Sequence, residues 1–281
     1  MNQDSPYLTQ VNGRTATTDD LAPLAFAGHA HFTALQVTGG RVRGLDLHLE
    51  RLRSASEELF GRALPDDLVR SRLRTALRDG PAELSLTVTV SSPAGEFTAA
   101  DADPALLVRT GPASSGPAGP LALAAVRHDR FLPHIKHVGE AAKTHLLRKA
   151  VAEGFDDAAF LDGEGRFSEA TIWNLAFWDG ESVLWPRAGL LTGTTMGIVR
   201  RQLDRLGVGQ RTVPITPEDL PALAGAVVMN SWTPGVPVHR IGSAELPAAP
   251  PFLELLHRSY VAENLSFTLQ TRPVDMSYDV F

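Results

Sequence analysis

The sequence predicts an α/β (α+β) fold in two domains, a small N-terminal α+β domain followed by a larger β-rich domain with helices. Three observations predict it. The first third of the 281-residue chain alternates short β-patterned and helix-patterned stretches. A run of Gly, Pro, Ser and Ala from Thr110 to Pro120 then interrupts every periodicity. Beyond it short apolar strands outnumber helices, and at ~150 residues per domain this length gives roughly two domains.

The elements follow from the pattern. Phe32 to Val42 reads as two β runs joined through Gly39 and Gly40, a hairpin. Leu45 to Phe60 sets Leu49, Leu52, Ala55 and Leu59 at helical spacing and stops at Gly61. Asp66 to Arg78 is a second helix, with Leu68, Leu73 and Leu77 on its apolar side. Glu83 to Ser91 alternates strictly and is β-branched, so it is a strand with one wet face, and Ala105 to Arg109 is its neighbour. The Gly/Pro/Ser/Ala run cannot build an apolar face and reads as a linker, which places an N-terminal domain over 1–112, the linker at 113–120 and a C-terminal domain over 121–281. Within the latter, Leu121 to Val126, Phe155 to Leu161, Ile172 to Trp178, Ser182 to Trp185 and Ala226 to Asn230 are strands. Lys143 to Glu153, Thr194 to Leu206 and Pro251 to Leu265 are helices.

Composition closes several routes. A net charge of −6 gives no general electrostatic reason to bind nucleic acid or an anionic membrane. The absence of Cys removes disulfides, thiol nucleophiles and thiolate metal sites. No run approaches the ~20 apolar residues needed to span a bilayer, and Met1 to Gln10 has no basic-then-apolar pattern, so a cytoplasmic location is expected.

Only three of the 26 basic residues are lysines, Lys136, Lys143 and Lys149, all in one short segment. In a chain that writes positive charge with Arg, a retained Lys suggests an amine that must lose its proton, which a guanidinium cannot do; codon bias is the plainer reading. Lys143 and Lys149 lie on a helix that needs a polar face and read as solvated. Lys136, beside Ile135 and Val138 in a β-like segment, is the better candidate for a desolvated, reactive amine.

Other signals are individually weak. Gly193, Thr194 and Thr195 open a helix, where free backbone N–H groups make a phosphate seat, although a Thr there is ordinarily only a cap. Asn230 to Gly235 is a small-polar turn after a buried strand, a common place for ligands and equally a surface turn. Glu169 lies between two strand-like segments, either solvated at an edge or held inward against a cation. His29 with His31, and His134 with His137, are two-ligand pairs lacking a third ligand, so no metal is expected, and His31 is placed in a substrate pocket instead.

Taken in order, these residues resemble the class IV pyridoxal-phosphate enzymes, the branched-chain and D-amino-acid aminotransferases and aminodeoxychorismate lyase. The matches are Gly28, His48-Leu49-Glu50-Arg51-Leu52 with Ser54-Ala55, Ile135-Lys136, Gly154 to Ala158, Ser168-Glu169 with Asn174, Leu191 to Thr195, and Asn230-Ser231 with Pro237-Val238. The resemblance implies fold type IV, with a β-barrel-like C-terminal domain, pyridoxal 5'-phosphate in the cleft between the domains, and a homodimer. It implies that Lys136 forms the internal Schiff base, that Arg51 and the Thr194 and Thr195 loop bind the cofactor phosphate with Asn230 and Ser231 nearby, that Glu169 meets the pyridine nitrogen, and that Asn174 supports Glu169 from behind.

Departures from the family pattern bear on the substrate. The usual G-D-G-x-F-E becomes Gly28-His29-Ala30-His31-Phe32-Thr33, which leaves Phe32 as the active-site ring. The Arg-Gly that often follows the long strand, a carboxylate clamp, is replaced by Ser91-Ser92, and K-x-x-N becomes Lys136 to Gly139. The leading expectation is an aminotransferase acting between an amino acid or amine and a 2-oxo acid or carbonyl acceptor. The alternatives are an aminodeoxychorismate-lyase-like enzyme, towards which Gly235 to Val238 leans, and a cofactor-free binding protein of the same fold, against which the joint presence of Lys136, Arg51 and Glu169 argues.

Overall fold

The structure is a computed structural model that describes residues 7–26, 28–95, 97 and 102–268. Its first half contains strands Thr9–Val11 (β1), Arg14–Thr15 (β2), Ala30–Val37 (β3), Arg41–Arg43 (β4), Leu84–Ser91 (β5) and Ala105–Gly111 (β6), with helices Thr18–Leu21 (α1), Leu45–Phe60 (α2) and Asp66–Leu77 (α3). Five of these strands form an antiparallel sheet in the order β2-β1-β6-β5-β3. The period of two in β5 decides its faces. Leu84, Leu86, Val88 and Val90 are buried in one core with Leu49 and Leu52 of α2 and Val69, Leu73 and Leu77 of α3. Thr87 and Thr89 project from the opposite face, beside Ala34 and Phe32 of β3, their register partners.

The second half contains Leu121–Arg127 (β7), Asp157–Leu161 (β8), Phe167–Ala170 (β9), Asn174–Trp178 (β10), Val183–Pro186 (β11), Gln210–Val213 (β12), Gly225–Asn230 (β13), Thr233–Ile241 (β14), Ala244–Glu245 (β15) and Leu265–Thr268 (β16). Helices Ala141–Ala152 (α4), Thr194–Arg205 (α5) and Pro250–Ala262 (α6) accompany them. The main sheet runs β12-β11-β10-β13-β14-β7-β8-β9, and a further β9–β10 pairing, Glu169 opposite Asn174, closes its last strands into a barrel. Phe167, Leu175, Phe177, Val228 and Val236 share one buried core within this body. β7 and β8 are parallel, which demands a crossover; the loop from 128 to 140 and α4 provide it. α5 and α6 pack through Val199, Leu203, Phe252 and Leu256 against Trp185 and Val227. β16 returns to pair with β4 of the first half.

Among the differences from the sequence expectation, three lie around the cavity described below. α4 starts at Ala141 rather than Lys143, so Lys143 belongs to its first turn. The strand expected from Ile172 begins at Asn174, because residues 171–173 form the turn that joins β9 to β10. The expected turn from Asn230 to Gly235 shrinks to Ser231 and Trp232, and Thr233 already starts a nine-residue strand; two prolines, Pro234 and Pro237, and Gly235 mask its β pattern.

The turn at 171–173 is fixed from beneath by Asp157. This buried carboxylate accepts hydrogen bonds from Thr171 Oγ1 (2.6 Å), Trp173 Nε1 (2.9 Å) and the backbone of Ala158 (2.6 Å). Burial pushes its pKa up, and these donors oppose the shift. Replacing Asp157 by Ala leaves the Thr171 hydroxyl and the Trp173 indole without an acceptor. Each orphaned group costs ~1–3 kcal/mol, so the denaturant-unfolding free energy is expected to fall by about 2–4 kcal/mol, with Asp157→Asn intermediate.

Candidate active site

Lys136 comes from the crossover loop, which is irregular rather than a strand and is anchored at both sides of the lysine. Its carbonyl accepts from Phe32 N (2.9 Å), and Val138 N donates to Ala30 O (2.9 Å), so the loop borrows the free edge of β3. From the other side the Arg130 guanidinium donates to the carbonyls of Pro133 (2.6 Å) and Ile135 (2.9 Å) and, through Nε, to Glu140 at the start of α4 (2.9 Å). A fourth contact runs from Arg130 Nη1 to Glu169 Oε1 (3.1 Å), which ties the loop to β9; both side chains are almost fully buried, at 3% and 4% exposed. The Lys136 amine lies 4.7 Å from the centre of the Phe32 ring.

Arg51, Lys136, Glu169, Asn174, Thr194, Thr195, Asn230 and Ser231 are brought together as walls of one cavity of about 300 Å3, with Phe32 and Thr87 contributed by the N-terminal sheet. Arg51 arrives from α2 and is fastened by donating to the Thr192 carbonyl (2.8 Å). Thr194 and Thr195 are buried in the first turn of the 12-residue α5, whose N-cap, Gly193, has no side-chain cap, so the first amides of the helix are open to a ligand. A side chain at Gly193 would collide with Asn174 Oδ1. Asn174 Nδ2 donates to the Leu191 carbonyl (2.6 Å), so this residue holds the 191–193 turn rather than the Glu169 carboxylate, although the two are register partners.

Two further expectations are corrected. His31 is not a pocket residue: the period of two sends it with Leu35 to the helix side of β3, where it is 0% exposed and its Nε2 lies 2.8 Å from Ser56 Oγ of α2. Burial there lowers its pKa to about 4, so it is a neutral core histidine. Lys143 is not a solvated helix residue. Its side chain is only 12% exposed, and Nζ donates to Glu169 Oε1 at 3.3 Å. Sequence reasoning also passed over Arg130, Thr171, Ile172, Trp173 and Trp232, which line this cavity or the one adjoining it. The scarcity of lysine was a signal for Lys143; nothing in the sequence distinguished Arg130 from the other arginines.

Electrostatics favour an uncharged amine. Burial, followed by the cations Arg51, Lys143 and Arg130, lowers the Lys136 pKa to about 7, against the pull of Glu169. Burial and Arg130 bring Arg51 down to about 10, still a cation at neutral pH. Burial lowers Lys143 as well, with Glu169 opposing. Because the cationic form of Lys136 is disfavoured, its nucleophilic form is populated near neutrality. Acylation of Lys136 in the cofactor-free chain, followed by peptide mass spectrometry, is expected to rise with pH around a midpoint of about 7, whereas an ordinary lysine, near ~10.4, would still be climbing at pH 9.

Residues 30–241 match the family model for amino-transferase class IV. No curated protein sequence matches. Among solved structures, the chain superposes on a branched-chain aminotransferase from the thermophilic archaeon Thermoproteus uzoniensis with a TM-score of 0.76 and 19% identity over 90% of this chain and 93% of that one. It is similar to the branched-chain amino acid aminotransferase of Escherichia coli, with a TM-score of 0.75 and 15% identity over 90% and 92% of the two chains. It is also similar to 4-amino-4-deoxychorismate lyase from Pseudomonas aeruginosa, with a TM-score of 0.73 and 20% identity over 89% and 97%. The family match spans most of the chain, and the site residues fall inside it: the chain belongs to the class IV aminotransferase family.

Proposed function

We propose that this chain is an aminotransferase that uses pyridoxal 5'-phosphate and moves an amino group between an amino acid or amine and a 2-oxo acid or carbonyl acceptor. One observation carries the reading: an enclosed lysine amine with a pKa lowered to about 7 shares a cavity with an acid and with a phosphate-type helix N-terminus. Residues 1–112 and 121–281 are read as the two domains joined by 113–120, supported by the change of sheet between β6 and β7.

The donor set fits the cofactor. The uncapped N-terminus of α5, the Thr194 and Thr195 hydroxyls and the Arg51 guanidinium converge as a seat for a phosphate dianion, with Asn230 and Ser231 on the same wall. Glu169 is the acid for a protonated ring nitrogen, and Asn174 shapes the phosphate turn through Leu191. When bound, the cofactor supplies an aldehyde carbon and a conjugated ring that accepts the electrons left when a substrate carbon loses a proton. Lys136 Nζ, unprotonated for much of its time near pH 7, would be the amine that holds the aldehyde and the base that takes up and returns the substrate proton. Phe32 forms the apolar wall beside the amine. Lyase chemistry would use the same residues.

A homodimer and a cytoplasmic location, where amino donors and oxo acids are found, go with this reading. The half-exposed Ile172 and Trp232 at the cavity and the exposed Phe131 on the Lys136 loop are apolar surface suited to a second copy.

The purified chain should absorb in the visible range after incubation with pyridoxal phosphate, and borohydride should fix the cofactor to the peptide containing Lys136. Lys136→Ala is expected to lose that adduct and, on the order of 10^3-fold or more, its turnover while keeping its fold by circular dichroism. Retained turnover would reassign the amine. Product analysis separates the two chemistries: pyruvate released from a ring substrate without an acceptor identifies a lyase, and a strict need for an oxo acid identifies a transferase.

A further inference from the structure

The proposed reaction leaves one buried cation of the site without a task. Lys143 is one of five residues, with Phe32, Lys136, Ile172 and Leu191, that wall both the cofactor-sized cavity and an adjoining one of about 360 Å3. The other cations are committed. Arg130 spends its donors on Pro133, Ile135, Glu140 and Glu169. Arg51 donates to Thr192 on the α5 side, and Lys136 is the reacting amine. Lys143 donates one hydrogen bond, to Glu169, while an ammonium carries three donors.

The adjoining cavity carries more cations than acids. Its walls carry the cations Arg130 and Lys143, beside the Lys136 amine, against Glu140, which pairs with Arg130 and lies 4.0 Å from Lys143 Nζ. The rest of its lining is largely apolar, from Phe32, Val138, Leu147, Ile172 and Leu191. At the end of the long strand β5, where the family pattern often carries an arginine clamp, this chain has Val90-Ser91-Ser92. We infer that Lys143 binds the substrate carboxylate and sets specificity for acids whose apolar body lies in the cavity beside Lys136. Arg130 makes this workable: it shares the charge of Glu140 and Glu169 with Lys143, whose remaining donors can meet a second anion. The inference rests on the reading of Lys136 as the reacting amine.

The test compares a non-reacting acid, 4-methylpentanoate, with its uncharged amide by calorimetry on the cofactor-loaded protein. A buried charge-assisted hydrogen bond corresponds to roughly a tenfold to hundredfold preference for the acid in the wild type. Lys143→Met is expected to abolish that preference while leaving the amide affinity in place, and Lys143→Arg to restore part of it. If Lys143 only supported Glu169, Lys143→Met would instead weaken acid and amide alike and keep the preference between them, which overturns the inference. Arg109, the register partner of Thr87 on the next strand, is the comparison; loss of the preference in Arg109→Met but not in Lys143→Met overturns it too. If the wild type takes up no cofactor, the proposed function fails first. The acid preference is then read on the chain as purified, and its absence there removes the role of Lys143 as well.

Discussion

The ion pair between Arg130 and Glu169 is the contact on which the site depends. It joins the crossover loop to the barrel, and each side chain would be costly to bury alone. Arginine suits the position because its planar fork serves several acceptors at once: two backbone carbonyls fix the loop path on either side of His134, while two carboxylates absorb the charge. A lysine would reach one or two of these and leave loop carbonyls without donors. The Lys136 amine therefore stands where it does because of a neighbour six residues earlier, through contacts that involve no part of its own side chain.

The barrel sets the other half of the geometry. Closure through the single Glu169–Asn174 pairing puts the acid and the amide of the site on adjacent strands at the seam. The turn between those strands, with Thr171, Ile172 and Trp173, becomes a cavity wall, and Asp157 holds it by accepting from Thr171 and Trp173. Asn174 reaches across to the Leu191 carbonyl and so sets the approach to α5. Gly193 follows from this: the asparagine oxygen occupies the space a side chain would need. The phosphate-type helix terminus and the acid are thus registered to each other through one strand.

Much of this was legible in the sequence because it rests on local chemistry. The alternation of Leu84, Leu86, Val88 and Val90 gave the strand and its buried face, the glycine-bounded Leu45–Phe60 gave α2, and the lysine count singled out the crossover segment. What was not legible depends on tertiary placement. His31 and Phe32 are neighbours in sequence, but only the docking of α2 decides which of the two faces the core. Lys143 sits on a helix with little apolar patterning, and its burial comes from the approach of β9 to the first turn of α4. β1, β2 and β15 are two or three residues long, too short for any periodicity.

A cavity that gathers Arg51, Lys136 and Lys143 around one buried acid, with Arg130 paired to that acid from the adjoining cavity, repels its own amine into the neutral form and attracts anions by the same field. These two effects pull on one another. Each anion that binds weakens the repulsion and raises the proton affinity of Lys136, as Glu169 already does in part. A phosphate at α5 and a carboxylate near Lys143 would both act in that direction, and with them in place Lys136 would hold a proton more readily than in the empty site. The amine is therefore more readily a free base in the empty site, and more readily a proton carrier once anions are bound. The excess of cations over acids is what couples these two states.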